Sequence, residues 1–506
     1  MSIDAARATP RGGELRATMR DWRRGRSELK IWQVFEDAYV ALLSTVIIGS
    51  MAGNVVWGLR TMTDAACRGA CADARSLLPM SAALLAVLLA LALARLLGPV
   101  FVSPAASAWL LSTPVDRRDL LRPSLWRTVA GAGFAAAALA AAPVLLAGRG
   151  PAESALHLAA VAGAAAAGTA YAARCQIRER RGAVRVTWLV TATLWILMLA
   201  AASGRAELPP PGVSDTSWLV GLAAGAALTI GLAVVLAFGS DRDLALVRRR
   251  TLAETESTWP SLSGALASFD LGLMYDVLLA RRWSTAASVR SRRGGPKGAM
   301  ALVHRDLLRV ARVPQPWILL LILLVVPYAL AAAEAGRGVM LGTSLTALLV
   351  GPSLCAGLRV VTRTDGLLVM LPFRRRTVLT AHLLVPGLGL MAYALLAAPA
   401  LLTIAEPPEA VGLSVATGLV GVAATARSVC ARPPDFARPL VSTPAGGVPT
   451  GLVANLARGI DVWLVAGLPL LIEGWGVGLS VGVSVLTLWW VTRPDARRES
   501  GRPQPR

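Results

Sequence analysis

Long apolar runs alternate with short arginine-rich stretches along most of the chain. A helix that crosses a bilayer needs roughly 20 mostly apolar residues. Twelve stretches meet or approach that length: 38–59, 77–101, 128–147, 154–173, 186–202, 217–239, 316–333, 339–360, 379–403, 410–427, 453–472 and 475–492. The segments at 186–202 and 475–492 are short, and 453–472 carries Arg458 and Asp461 in its first half. The pattern predicts an all-α polytopic membrane protein with about twelve transmembrane helices in two groups of six.

The polar pieces set the orientation. Lys and Arg concentrate in cytoplasmic loops. With the N-terminus inside, the external loops hold only Arg60, Arg68, Arg75, Arg149, Arg205 and Arg337, although the chain has 51 Lys and Arg. A missed or surplus helix would invert every later loop and spoil that bias, so the expected topology is N-in/C-in. The divisions follow: a basic N-terminal segment with an interfacial helix at 1–34, a first six-helix half at 35–240, and a cytoplasmic basic linker at 241–315. A second six-helix half at 316–492 and a cytoplasmic tail at 493–506 complete the chain. The linker contains "VRRR" at 247–250 and "RSRRGGPKG" at 290–298, with short helical patterns at 261–280 and 299–312. Its basic stretch suits contact with anionic membrane lipid.

Composition narrows the class further. The 506 residues are 55% hydrophobic and 16% charged, and mean hydropathy is +0.58. Soluble domains carry about 25% charged residues. A net charge of +21 would suggest nucleic acid in a soluble protein, but here the arginines sit between spans, so topology accounts for them and no nucleic-acid partner is expected. The N-terminus lacks the early apolar core of a cleavable signal peptide. The expected location is the cell inner (plasma) membrane, as a multi-pass protein.

Chemistry-bearing motifs are sparse. His157, His304 and His382 lie far apart in sequence and no CxxC pair occurs, so neither a metal site nor a cofactor is expected. No GxxxxGK[ST] loop, HExxH or GxSxG appears; "GGPKGAM" at 294–300 fails the phosphate-loop spacing. The chain is therefore expected not to be an enzyme. Cys67 and Cys71 share one external loop, where they can bridge or stand as two separate thiols. Arg95 and Arg359 lie near the cytoplasmic ends of their spans, where a long side chain can snorkel to water. Arg458 and Asp461 are three residues apart and can pair on one helical face.

An internal repeat is visible in the loops. "LLSTPVDRRDLLRPSLW" at 110–126 aligns without a gap on "LVMLPFRRRTVLTAHLL" at 368–384. Pro114 meets Pro372, Arg117 meets Arg375, Arg118 meets Arg376 and Leu121 meets Leu379. "AAPVLL" at 141–146 then matches "AAPALL" at 397–402, and Cys175 and Cys430 fall at similar depth. Two six-helix halves related by an axis along the membrane normal are a transporter habit. The stretch after Pro114 reads as a short cytoplasmic helix with Asp116 and Asp119 near its N-terminus, where negative charge suits the helix dipole. The second copy opens with Arg374, Arg375 and Arg376.

These two stretches resemble the loop after the second span in type-2 ABC exporter permeases, with leucine, proline, arginines and an apolar helix in that order. "ALVHRDLLRVARVPQPW" at 301–317 resembles the amphipathic helix that leads into the first span of such permeases. The chain as a whole also resembles uncharacterised actinobacterial membrane proteins of ABC-permease type. The resemblance implies an exporter permease, with coupling helices at 116–126 and 374–384 seated on a separate ABC ATPase subunit. The contact residues it implies are Pro114, Asp116, Arg117, Arg118 and Leu121, with Pro372, Arg374, Arg375, Arg376 and Leu379. A fused pair of six-helix halves departs from the usual one half per chain. Two other readings fit a chain of this design: a major-facilitator-type secondary carrier, and a non-catalytic scaffold recruiting partners through 240–315.

Overall fold

A computed structural model describes residues 70–102, 116–202, 216–256, 273–277, 280, 294–332, 334–431, 440–443, 446–449 and 457–493, with scattered positions between 21 and 61. Among these residues, regular structure is helical apart from one antiparallel hairpin, β1 (Leu440–Thr443) and β2 (Gly446–Pro449), which pairs Leu440 with Pro449. Among the described residues, eight helices are long and apolar enough to cross a membrane, or nine when one bent pair counts as a single span. Two shorter apolar helices, at Gly182–Leu197 and Ile460–Leu471, coincide with stretches expected to span. The expected span at 38–59 falls largely outside the described residues; those described between 35 and 61 are all helical. Large apolar side chains face outward, with Phe134 78% and Leu228 73% exposed. Such a surface is tolerable only where the surrounding solvent is hydrocarbon, so the chain is an all-α polytopic membrane protein.

The chain divides into two compact units, Met1–Pro260 and Ser261–Arg506. In the first, α1 (Ala70–Leu97), α2 (Arg117–Leu146), α3 (Pro151–Ile177), α4 (Gly182–Ala202) and α5 (Thr216–Asp243) are long, and a short α6 (Arg249–Glu256) follows. Helix α3 is the hub, packing on α1, α2 and α5. Its sequence explains why: Gly163, Ala165, Ala167, Ala170 and Ala173 are buried, and small side chains let backbones approach closely in lipid. A Cβ on Gly163 would meet the Thr229 hydroxyl and the Ile230 backbone of α5.

Polar contacts close both ends of this unit. At one end, Glu153 accepts from the Trp218 indole at 2.7 Å and pairs with Arg149, whose guanidinium also reaches the Ser76 carbonyl. At the other, the Gln176 amide bonds both the N–H and the carbonyl of Val100 at 3.1 Å each. There Arg178 meets Asp243 at 2.7 Å. Asp241, only 2% exposed, takes Arg118 at 2.9 Å and Arg122 at 3.4 Å.

In the second unit, the amphipathic α7 (Met300–Arg312) leads into α8 (Gln315–Ile322) and α9 (Val325–Ala332). Then come α10 (Gly338–Leu354), α11 (Ala356–Arg363), α12 (Asp365–Met370), α13 (Arg375–Leu396) and α14 (Ala398–Leu401). The unit ends with α15 (Pro407–Val429), α16 (Ile460–Gly467) and α17 (Trp475–Thr492). Helix α15 is the most enclosed of the candidate spans and touches α10, α13, α16 and α17. It too is built of small residues: Ala416, Gly418, Gly421, Ala423 and Ala424 are buried.

The ends of this unit differ in charge. Arg427, in the last turn of α15, pairs with Asp461 at 3.4 Å and lies over the Trp490 ring at 5.3 Å. Asp461, in the first turn of α16, also accepts from the N–H groups of Gly459 and Val462, so its charge lies at the start of that helix. Arg305, Arg309, Arg312, Arg363, Arg374 and Arg376 fall on loops or helix turns of this same end. The opposite end carries Glu334, Glu406, Glu409 and Glu473, with Arg337 against Glu473 at 3.4 Å.

The Asp241 contact makes an asymmetric prediction. Its two arginines are 43% and 53% exposed, so water can take them over when the carboxylate is removed. Asp241→Ala should cost about 1 kcal/mol. Replacing both Arg118 and Arg122 by Ala leaves a buried unpaired carboxylate and should cost about 3–5 kcal/mol. Unfolding titrations in detergent measure both; equal losses would refute the asymmetry.

Candidate functional site

The two arginine-rich stretches singled out in the sequence do not form separate surface helices. Pro114 lies outside the described residues. Asp116 caps α2 by accepting from the Arg118 N–H at 2.9 Å, and the helix then runs without interruption to Leu146. The physical reason is that nothing breaks the backbone between the capped start and the apolar run, and Pro123 is accommodated within it. Arg118 pairs with Asp241 near the end of α5, and Arg117 donates to the carbonyl of Val247 just beyond it at 3.1 Å, so both fasten the start of α2 to that region. Leu121 is fully buried among Val100, Leu125, Leu244 and Val247.

The second stretch has the same architecture. Arg374 is the N-cap of α13, which runs continuously from Arg375 to Leu396. Leu379 is 1% exposed and packs with Cys355, Leu358 and Val429. Neither Leu121 nor Leu379 offers a surface to another subunit; each holds its helix start from inside. Pro372, Arg374 and Arg376 are exposed, whereas Arg375 is half-buried. Cys67 lies outside the described residues, as does the side chain of Cys71, and the bridge between them with it. Burial pushes the Cys430 thiol up to about 12, so it stays protonated at neutral pH.

A polar cluster that the sequence reading did not assemble lies where α7, α11 and α13 meet in the second unit. Helix α10 stops at Leu354 and α11 departs at 64°. Pro352, two residues before the stop, lacks the N–H that would continue the helical ladder. The turn brings Gly357 against α7 and α13. A Cβ there would collide with the Arg309 guanidinium, the Asp306 carboxylate and the His382 imidazole. The missing side chain is thus what lets these three groups converge.

Asp306 is the centre of the cluster. Its carboxylate is 8% exposed and lies 2.6 Å from Nδ1 of His382 and 2.6 Å from Nη1 of Arg309. The His382 ring is buried. The spacing of the three histidines speaks only against a metal site; it carries no hint that His382 and Asp306, 76 positions apart, are in direct contact. The available signal was an aspartate among apolar positions of an amphipathic helix, and a histidine inside an apolar run.

A second buried charge adjoins the first. Arg359 is 1% exposed. It meets Asp276 at 2.6 Å, donates to the Pro352 carbonyl, and lies 4.9 Å from the centre of the Tyr275 ring. The sequence reading had Arg359 snorkelling to water; instead the side chain turns inward to a carboxylate and an aromatic face. Arg363 reaches the same Asp276 at 3.4 Å.

Beside these groups opens a cavity of about 340 Å³. Arg309, Arg312 and Asp306 line it with Trp317, Val360 and Pro386. Among the described residues, no three His, Cys, Asp or Glu side chains are arranged to hold a metal ion. The site offers two guanidinium groups, a carboxylate held by His382 and Arg309, and apolar walls, a combination suited to binding an amphipathic anion.

Two measurements test the cluster. Gly357→Ala should destabilise by about 1–3 kcal/mol, the cost of forcing an extra carbon into a filled space. A double-mutant cycle on Asp306→Ala and His382→Ala should give a coupling of about 1–3 kcal/mol, since contacting residues in one network are not additive. Additive losses in detergent unfolding would mean that the pair does not bond in solution.

No curated protein and no solved structure matches the chain. The family described as "Family of unknown function (DUF6297)" matches residues 71–439. That stretch runs from the start of α1 past the end of α15, and so takes in the hubs of both units and the whole Asp306 cluster; the chain belongs to that family.

Proposed function

We propose that the chain is the membrane-spanning permease subunit of an ATP-binding-cassette exporter in the plasma membrane, driven by a separate ATPase. In this reading it has twelve spans in two duplicated halves, with both termini in the cytosol. The observation that carries it is the correspondence of the two Pro-Arg-Arg stretches. Helices α2 and α13 begin at Arg117 and Arg375, which are aligned positions. Four residues on, Leu121 and Leu379 are both buried.

The helices that follow support the same reading. Both α3 and α15 open with proline at the first turn and a glutamate two residues later, at Glu153 and Glu409. Proline fits the first turn because its missing N–H has no helical partner there. Both helices end beside a cysteine, Cys175 or Cys430, and both are the packing hub of their unit. A duplicated sequence folding twice into one pattern explains these matches together.

Burial assigns different tasks to the residues of each stretch. Leu121, Leu379, Arg117 and Arg118 hold the helix starts in place. The residues left to meet an ATPase are the exposed ones: Asp116, Pro372, Arg374 and Arg376. A secondary carrier is the competing reading, and the buried Asp306–His382 pair favours it by supplying a protonatable group.

Affinity purification of the tagged chain from its native membrane separates the two. An ATP-binding-cassette ATPase should co-purify, and Arg374→Glu with Arg376→Glu should cut its recovery at least about tenfold by placing like charges where the partner expects cations. The melting temperature should stay unchanged, because both side chains are exposed. Solute movement by the purified chain in vesicles under a proton gradient, without ATPase or ATP, would overturn the exporter reading.

A further inference from the structure

We propose that the cavity beside Arg309 and Arg312 is a binding site for the headgroup of an anionic phospholipid. The inference is independent of how transport is driven. It rests on the shape, the charge and the surroundings of this one cavity.

Charge comes first. Asp306 is the acidic side chain lining the cavity, and its carboxylate is already engaged by His382 and Arg309. One guanidinium nitrogen of Arg309 faces it at 2.6 Å. A guanidinium has five N–H donors in a fixed fork, so Arg309 retains donors for another oxygen ligand while it holds Asp306. Arg312, one helical turn further along α7, is a second lining cation and is exposed. Among the lining residues two arginines thus stand against one acidic side chain, which is itself held inside the cluster. Guanidinium groups match phosphate oxygens in bidentate geometry.

The walls identify which phosphate. Val310, Val313, Pro316, Trp317, Val360 and Val385 are apolar. A soluble anion gains nothing from such walls and loses water on entering. A phospholipid gains from both parts, with its phosphate on the arginines and its glycerol and upper acyl carbons against the valines and the indole. The cavity also opens beside lipid-facing surface: on α8, Ile318, Leu319 and Leu321 are 42%, 45% and 57% exposed. An acyl chain can follow that surface without crossing a polar barrier.

Depth agrees with this assignment. The cavity lies where the amphipathic α7 gives way to the first apolar turns of α8, with Trp317 at the junction. Helix α7 exposes Met300 and Leu307 together with Arg305, Arg309 and Arg312, as a helix lying in the membrane interface does. Tryptophan is enriched at the same level. The end of the unit where this occurs is the one rich in arginine, and anionic lipids concentrate in the leaflet facing such basic ends.

The test counts lipids on the full-length purified protein. Native mass spectrometry in detergent, with phosphatidylglycerol or phosphatidylcholine added, is expected to show one phosphatidylglycerol retained that phosphatidylcholine does not replace. Val360→Trp fills the cavity from an exposed wall position without touching any charge, and should remove that lipid. Arg312→Gln should weaken its retention at least about tenfold, and serves as the check if the tryptophan variant does not fold. Arg249→Gln in the other unit should leave it unchanged. Retention of phosphatidylglycerol by both cavity variants, equal binding of phosphatidylcholine, or full competition by inorganic phosphate would each overturn the proposal.

Discussion

A charge can be held out of water only against an opposite charge or a matched polar partner, and this constraint shapes both units of the chain. Removing an ion from water costs several kcal/mol even after relaxation. The buried acids and bases accordingly occur in contact: Asp241 with Arg118 and Arg122, Asp306 with Arg309 and His382, and Arg359 with Asp276. Each set joins elements distant in sequence. The apolar faces supply adhesion without direction, since side chain and lipid tail are equally greasy. The charged contacts supply the direction, fixing which helix end lies beside which.

Small residues complete the same logic. The hub helices α3 and α15 bring glycines and alanines to their neighbours, so backbones approach and dispersion contacts accumulate. Gly357 is the extreme case, because there the absent side chain is replaced by three polar groups from two other helices. The bend at Cys355 and the Asp306 cluster are thus one structural event: without the turn, α11 would not meet α7, and without α7 the buried His382 would face no partner.

How much of this was legible in the sequence depends on the range of the interaction. Hydropathy located the eight or nine helices long enough to cross among the described residues, short of the twelve expected, since span length is a local property set by bilayer thickness. A helix start near Asp116 was legible too, because it depends on neighbouring residues, although the side-chain cap itself was not. The continuity of α2 was not read correctly: proline and clustered arginines suggested a separate surface helix, whereas the arginines found partners on α5 and just beyond it. Arg359 was misjudged for a related reason. Snorkelling is the outcome for an arginine facing lipid, and no local pattern tells which way the side chain turns or that Asp276 awaits it. The Asp306–His382 contact, spanning 76 positions, could be known only once three helices were in place.

The order of residues in the Arg359 pair bears on how such a protein is made. Chains are synthesised and begin to fold from the N-terminus. Asp276 precedes Arg359 by 83 positions, so the carboxylate has already left the ribosome when the guanidinium emerges. The helix carrying Arg359 can therefore enter the bilayer with its counterion within reach. Had the order been reversed, the most deeply buried cation of the second unit would have had to wait in hydrocarbon for a partner not yet translated.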